Sequence, residues 1–160
     1  MKKKLLSLVC ALALTISLLP AAQALEGEGT RAAEVLASLG LVTGTGAGYA
    51  AGGAATQEQA AALLVRLLGG EDAALAGDWD TPFTDVPEWA EPYVGYAYSK
   101  GLTDGTGETA FGSGDSVTAS QYLTFVLRAL GYESGTDFEW DAAWELSDEI
   151  GLTSGEYGAS

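Results

Sequence analysis

The 160-residue chain has no histidine, one cysteine and only seven basic residues. Each shortage removes a class of chemistry. Without histidine, no side chain has an ordinary pKa suited to general acid–base work near neutrality. The one cysteine, Cys10, lies in an apolar run near the start, and on the leader reading below it is discarded. That excludes disulfides, thiolate zinc sites and cysteine nucleophiles together. Stability then rests on packing, and no metal or cofactor is expected. The 22 acidic residues give a formal charge of −15, or about −18 once Lys2, Lys3 and Lys4 are removed with a leader. Such a surface repels phosphate, which argues against nucleic acid and anionic membranes as partners. It suits an extracellular, solvated protein whose partners are neutral or basic.

What is present begins with a secretion signal. Lys2, Lys3 and Lys4 form a positive start, residues 5–19 an apolar run broken by Pro20, and Ala22-Gln23-Ala24 a small-x-small cleavage site. The apolar run is too short for a good membrane span. The reading is a signal peptide at 1–24 and no transmembrane segment after its removal.

Beyond the leader the chain repeats itself. Residues 40–69 and 101–131 each read as a glycine-rich loop feeding a capped amphipathic helix, and a third copy of the loop starts at Gly151. Gly40, Gly101 and Gly151 correspond, as do Gly44, Gly105 and Gly155; Tyr49 matches Phe111, and Arg66 matches Arg128. Thr56-Gln57-Glu58-Gln59 and Thr118-Ala119-Ser120-Gln121 are both capping boxes, threonine to the N3 amide and glutamine back to the threonine amide. Behind them Ala60, Leu63, Leu64, Leu67 and Leu68, and Tyr122, Leu123, Val126, Leu127 and Leu130, recur at helical spacing. Gly69 and Gly131 supply the stops.

A first helix precedes each loop. Residues 31–39 form one, capped by Thr30. Residues 88–100 form another, with Asp85 as its expected cap and Trp89, Tyr93, Tyr96 and Ala97 as its buried stripe. Residues 140–150 form the third, and the stretch from Gly151 onward is expected to fray. Residues 71–82 read as an acidic linker.

Other constellations carry less. Asp104-x-Thr106-x-Glu108 starts like a calcium loop, but Thr109 stands where glycine is needed and Asp115 where a bidentate glutamate belongs. Gly105 and Gly107 follow a helix rather than a strand, with no lysine near, so they make a poor phosphate cradle. The carboxylates are spread over linkers and helix surfaces rather than paired in a cleft, which speaks against glycoside hydrolysis and against an enzyme. Arg66 and Arg128 fit helix C-termini, where the dipole favours a cation, or a glycan contact.

The pattern Phe83-x-Asp85-Val86, Trp89-Ala90, Gly101-Leu102, Gly105, Phe111, Thr118 and Leu127-Arg128-Ala129-Leu130-Gly131 resembles the S-layer homology repeat. The resemblance divides the chain into a signal peptide (1–24), a degenerate first repeat (25–71), the acidic linker (72–82), a second repeat (83–133) and a partial third repeat (134–160). It implies a mostly α fold of tandem helix–loop–helix units packed as a pseudo-threefold bundle. It also implies a non-catalytic module, secreted to the cell wall or cell surface, that binds secondary cell-wall polysaccharide. The candidate glycan contacts are Trp89, Tyr98, Gly105, Thr118, Gln121, Gly44 and Thr56. One departure stands out. The family's Thr-Arg-Ala-Glu places an arginine against an anionic sugar, and here Gln57 and Ala119 hold those positions. Three readings follow: a less charged ligand, repeats turned to structural or protein-interaction duty (self-association included), or a contact made by the second half of the third unit. The chain also reads as the front piece of a larger surface protein.

Overall fold

The computed structural model describes residues 55–158. The leader, Gly44 and the helix expected at 31–39 lie outside them. The regular elements described are helical: α1 (Gln57–Leu67), α2 (Glu71–Ala76), α3 (Glu91–Ser99), α4 (Ala119–Ala129), a 3-10 turn η1 (Trp140–Ala142) and α5 (Ala143–Glu149). The only β pairings among the described residues are two isolated bridges, Thr56 with Ser116 and Ser134 with Phe138. The fold is mostly α. No helix described is long and apolar enough to cross a membrane.

The two long helices begin where the capping boxes put them. At α4, the Thr118 hydroxyl accepts from the Gln121 N–H at 3.2 Å, and the Gln121 side chain accepts from the Thr118 N–H at 2.8 Å. At α1, the Gln59 side chain accepts from the Thr56 N–H at 3.1 Å. Each helix ends on a left-handed glycine, Gly69 at φ +69° and Gly131 at φ +95°, a conformation that costs other residues their Cβ clearance.

Packing follows the repeat. α1 lies against α3, and α4 lies against η1 and α5, so each second helix docks on the next unit's first helix; α1 and α4 also touch. A helix flanked on two sides buries more than one stripe. Hence Ala61, Ala62 and Val65 of α1 are buried beside Ala60, Leu63 and Leu64, and Tyr122 through Leu127 of α4 are buried without a break. The main core joins Leu64, Val65, Tyr93, Leu102, Tyr122, Leu123, Val126, Leu127 and Phe138. A smaller core forms around Phe111, which is 0% exposed, with Ala61, Phe83, Ala90 and Val94. The third copy is ordered in the same way: Leu152 and Thr153 are buried, as are Leu102 and Thr103. The fraying expected from Gly151 therefore does not begin there.

Three details differ from the sequence reading. The helix expected at 88–100 starts at Glu91, with Ala90 as its cap residue and a proline in its first turn. Trp89 is 45% exposed rather than part of the buried stripe. The acidic stretch 71–82 contains α2, and its Trp79 is built into the fold. The Trp79 indole N–H donates to the Ala74 carbonyl at 2.9 Å, and its ring meets Tyr96 edge-on at 5.2 Å. A Cβ on Gly95 would lie 2.4 Å from the Trp79 Cβ. Charge density masked one tryptophan whose seat is a glycine sixteen residues later.

Gly95 lies inside α3, where alanine is intrinsically preferred by about 1 kcal/mol. The clash outweighs that preference, so Gly95→Ala is expected to destabilise by about 1–3 kcal/mol, measured by urea unfolding. A neutral or stabilising result would show that Trp79 is not held as described.

Candidate functional site

The second unit's loop, residues 103–118, is held down by a series of hydrogen bonds to side chains and backbone outside it. Its anchor is Asp85. One carboxylate oxygen accepts from the Phe111 N–H at 2.7 Å. The other accepts from Gly112 at 2.8 Å and Ser113 at 3.1 Å. Burial pushes the Asp85 pKa up, but these three N–H donors outweigh it and hold the carboxyl below its ordinary value. The expected cap of α3 is therefore a clamp on a loop 26 residues away. Sequence spacing carries no signal for that partner, because the local and distant readings need the same residue type.

The clamped loop is laid over the start of α1. Glu58 accepts from the Gly114 N–H at 2.9 Å. The Gln57 N–H donates to the Asp115 carbonyl at 3.0 Å, and the Val117 N–H donates to Ala55 at 2.9 Å. Gln57 and Glu58 are buried in consequence. Gly112, at φ +91°, lies so close that a Cβ there would be 2.7 Å from the Gln57 side-chain nitrogen. The position where the family pattern has its arginine is thus covered by the neighbouring loop. The hydroxyl oxygens of Thr56 and Ser113 are buried at this contact without a hydrogen-bond partner.

The candidate contacts fall in different places. Thr56 lies at the covered α1 junction. Thr118 and Gln121 are spent on the cap of α4, whose first turns also meet η1: the Ser120 hydroxyl donates to the Asp141 carbonyl at 3.3 Å, and the Thr124 hydroxyl to the Trp140 carbonyl at 3.2 Å. Gly105 is under the Phe83 ring, where a Cβ would come within 2.4 Å. Tyr98 is 37% exposed and meets Phe83 edge-on at 5.2 Å. Trp89 stands out from the turn before α3. Gly44 lies outside the described residues. The structure therefore joins Thr56 to the loop and Tyr98 to Gly105 through Phe83.

The two matching arginines diverge. The Arg66 Nε is 2.8 Å from Glu71 and its guanidinium donates to the Tyr93 hydroxyl at 2.9 Å. That hydroxyl donates to Glu71 at 2.7 Å, closing the ring. Hydrogen bonds from Arg66 and Tyr93 hold the Glu71 carboxyl below its ordinary value. Burial and the bond to Glu71 raise the Tyr93 phenol. Arg66 is a structural residue. Arg128 pairs with Asp104 at 2.6 Å, and that carboxylate is 71% exposed; both line an open groove of about 450 Å³ with Tyr132 and Glu133. No group of three or more acidic, histidine or cysteine side chains is placed to hold a metal among the described residues.

Comparison with known proteins matches residues 82–118 to the S-layer homology domain. The chain is 32% identical over 150 residues to a surface layer protein of Brevibacillus choshinensis, covering 86% of this chain and 13% of that protein. It is 31% identical over 152 residues to a middle cell wall protein of Brevibacillus brevis, covering 86% and 14%. A cell surface protein of Thermoanaerobacter kivui is 35% identical over 104 residues, covering 62% and 13%. The chain thus spans about one seventh of the length of these relatives or slightly less. No solved structure gives a significant match.

Two measurements probe this geometry. Asp85→Asn leaves loop N–H groups short of an acceptor and is expected to lower stability by about 1–3 kcal/mol. Because the folded Asp85 pKa is depressed, its contribution is fully present above the unfolded carboxyl pKa and is lost as pH falls through the folded value. The variant should therefore show a shallower acid dependence than the wild type in unfolding series from neutral to acid pH. Tyr93→Phe opens the Arg66–Glu71 ring and is expected to cost about 1–2 kcal/mol, whereas Asp104→Asn, at an exposed pair, should cost under ~1 kcal/mol. Equal effects would overturn the division between the arginines.

Proposed function

Because the chain carries an S-layer homology domain at residues 82–118, we propose that it is a secreted, non-catalytic module that holds a surface protein to the cell wall by contact with secondary cell-wall polysaccharide. The single observation that carries this reading is that match, which spans the Phe83–Asp85 opening and the whole of the clamped loop. The surface-layer and cell-wall relatives support the same location. The repeat division at 25–71, 83–133 and 134–160 is part of the proposal, as are the leader at 1–24 and a pseudo-threefold closure of the units.

The glycan face proposed here comprises Trp89, Tyr98, Gly105, Thr118, Gln121, Gly44 and Thr56, in two roles. Exposed aromatics offer flat apolar surface to the C–H face of a sugar ring. Thr56, Thr118, Gln121 and the glycines shape the loop and the helix starts beside it. With Gln57 and Ala119 standing where the family pattern has arginine, in a chain of charge −15, those two positions offer no cation to a carboxylated sugar. The favoured ligand is a weakly charged or uncharged stretch of glycan.

The test is retention on purified walls before and after the polysaccharide is stripped. The intact chain should be retained only by the former, with an S-layer homology module from a relative as the positive control. Trp89→Ala and Tyr98→Ala are expected to weaken retention about tenfold, equivalent to ~1.4 kcal/mol. Their folding stability should change less, because both side chains are partly exposed. Equal retention on stripped walls, or none on intact ones, would sink the reading.

A further inference from the structure

We propose that the open groove beside Arg128, apart from the residues just named, is a subsite for a neutral sugar ring held through two adjacent hydroxyls. Two helix ends build it. At the end of α4, the Gly131 N–H donates to the Arg128 carbonyl and the Tyr132 N–H to the Leu127 carbonyl, each at 3.0 Å. At the end of α3, the Gly101 N–H donates to the Tyr98 carbonyl at 3.0 Å and the Leu102 N–H to the Ala97 carbonyl at 2.9 Å. Both ends turn on a left-handed glycine, at φ +95° and +67°. One delivers Tyr132 and Glu133 to the groove, and the other delivers Asp104. The Glu133 N–H is tied to the Asp137 carboxylate at 2.7 Å. The groove measures about 450 Å³, inside the range of small-ligand sites, roughly 300–1,000 Å³.

The matching place in the first unit is filled from within. Arg66 spends its Nε on Glu71 and its Nη2 on Tyr93, and a Cβ on Gly70 would lie 2.8 Å from the Tyr96 ring. Counted from the glycine stops, Tyr132 replaces Gly70 and Glu133 matches Glu71. Counted back from Gly101 and Gly151, Ala143 and Leu146 stand where Tyr93 and Tyr96 do. The two tyrosines that close the first junction are therefore missing from the second. Arg128 is left with a contact from Nη2 to the exposed Asp104, and its Nε and Nη1 have no hydrogen-bond partner among the described residues. The side chain is nonetheless only 18% exposed. A mostly buried guanidinium with unused donors at the wall of a groove is completed by an acceptor from outside.

The lining selects the class of that acceptor. Arg128 repels a cation, and Asp104 and Glu133 together repel an anion. A hydroxyl accepts and donates at once. Two neighbouring ring hydroxyls accept from the unused Arg128 N–H groups and donate to the Asp104 or Glu133 carboxylate, and the charge on the protein partner strengthens each bond. Tyr132, half-buried against the main core, is the aromatic residue of the lining and meets the C–H face of the ring. The assignment of the diol to a sugar rests on the wall-polysaccharide reading.

The experiment titrates the whole chain with methyl glucoside, methyl mannoside and methyl galactoside, and in parallel with glucuronate and glucosamine. It follows the Arg128 Nε–H resonance, assigned through Arg128→Lys, and the Tyr132 backbone N–H. At least one neutral glycoside should shift both saturably, and the two charged sugars should bind more weakly than it does. Asp104→Ala and Arg128→Lys should each weaken that glycoside about fivefold or more, the equivalent of one hydrogen bond. Glu108→Gln, an exposed carboxylate outside the groove lining, should leave binding unchanged. Asp104 is exposed, so Asp104→Ala keeps the test intact if Arg128→Lys does not fold. The proposal is overturned if no neutral glycoside shifts the two resonances, if glucuronate or glucosamine binds as tightly, or if Glu108→Gln weakens binding as much as Asp104→Ala. Wall retention without a glycoside response removes this groove and spares the wall reading; a glycoside response without wall retention does the reverse.

Discussion

The arrangement depends on one carboxylate. Asp85 gathers three successive backbone N–H groups of a loop that begins well beyond the next helix. A loop rich in glycine has much conformational entropy to lose, and few apolar side chains with which to offset the loss. A charged acceptor shared among three donors supplies a concentrated, directional gain in their place. Once the loop is fixed at Asp85, Phe111 enters the small core, and Glu58 and the α1 backbone receive the following residues. The loop's part of the junction is therefore assembled from polar contacts beside the buried Phe111 ring, next to the apolar contact that the helices make in the main core.

That dependence explains which parts of the fold were legible in the sequence. α1 and α4 were readable almost to the residue, because a capping box and a left-handed glycine are local devices whose partners lie within four residues. The recurrence of Gly101 and Leu102 at Gly151 and Leu152 was readable for the same reason. Features that depend on distant partners were not. Asp85 reads as a helix cap, Trp79 sits inconspicuously in an acidic stretch, and Trp89 falls at the spacing of a stripe it does not join because α3 starts three residues late. Periodicity reports one apolar face of α1 and α4, and these helices are covered on two.

The candidate site was legible as residue types and much less as a surface. Thr56, Thr118 and Gln121 were singled out from the repeat pattern, and each now has a local task in starting a helix. The loss of arginine at Gln57 gains a physical meaning: the side chain there is enclosed by the Gly112 turn, so a cation at that point would meet a loop as well as a ligand. The paired arginines, equivalent in sequence, part company because Arg66 is closed into a ring with Tyr93 and Glu71, whereas Arg128 pairs with the exposed Asp104. A repeat can thus conserve a residue type while changing what it does.

The sequential docking of units has a consequence for load. A protein fixed to a wall at one end and exposed to flow at the other carries tension along its backbone. In this chain α1 is held by α3, and α4 by α5, so force entering at one end crosses the unit contacts in series. The contact between the first two units is cross-laced at Gln57–Asp115, Glu58–Gly114 and Ala55–Val117. These bonds link chain segments more than fifty residues apart that run antiparallel, Thr56 opposite Ser116. Tension drawn from Ala55 and from Val117 therefore acts at one end of the seam and opens its bonds one after another, a directional weakness that equilibrium stability alone does not measure.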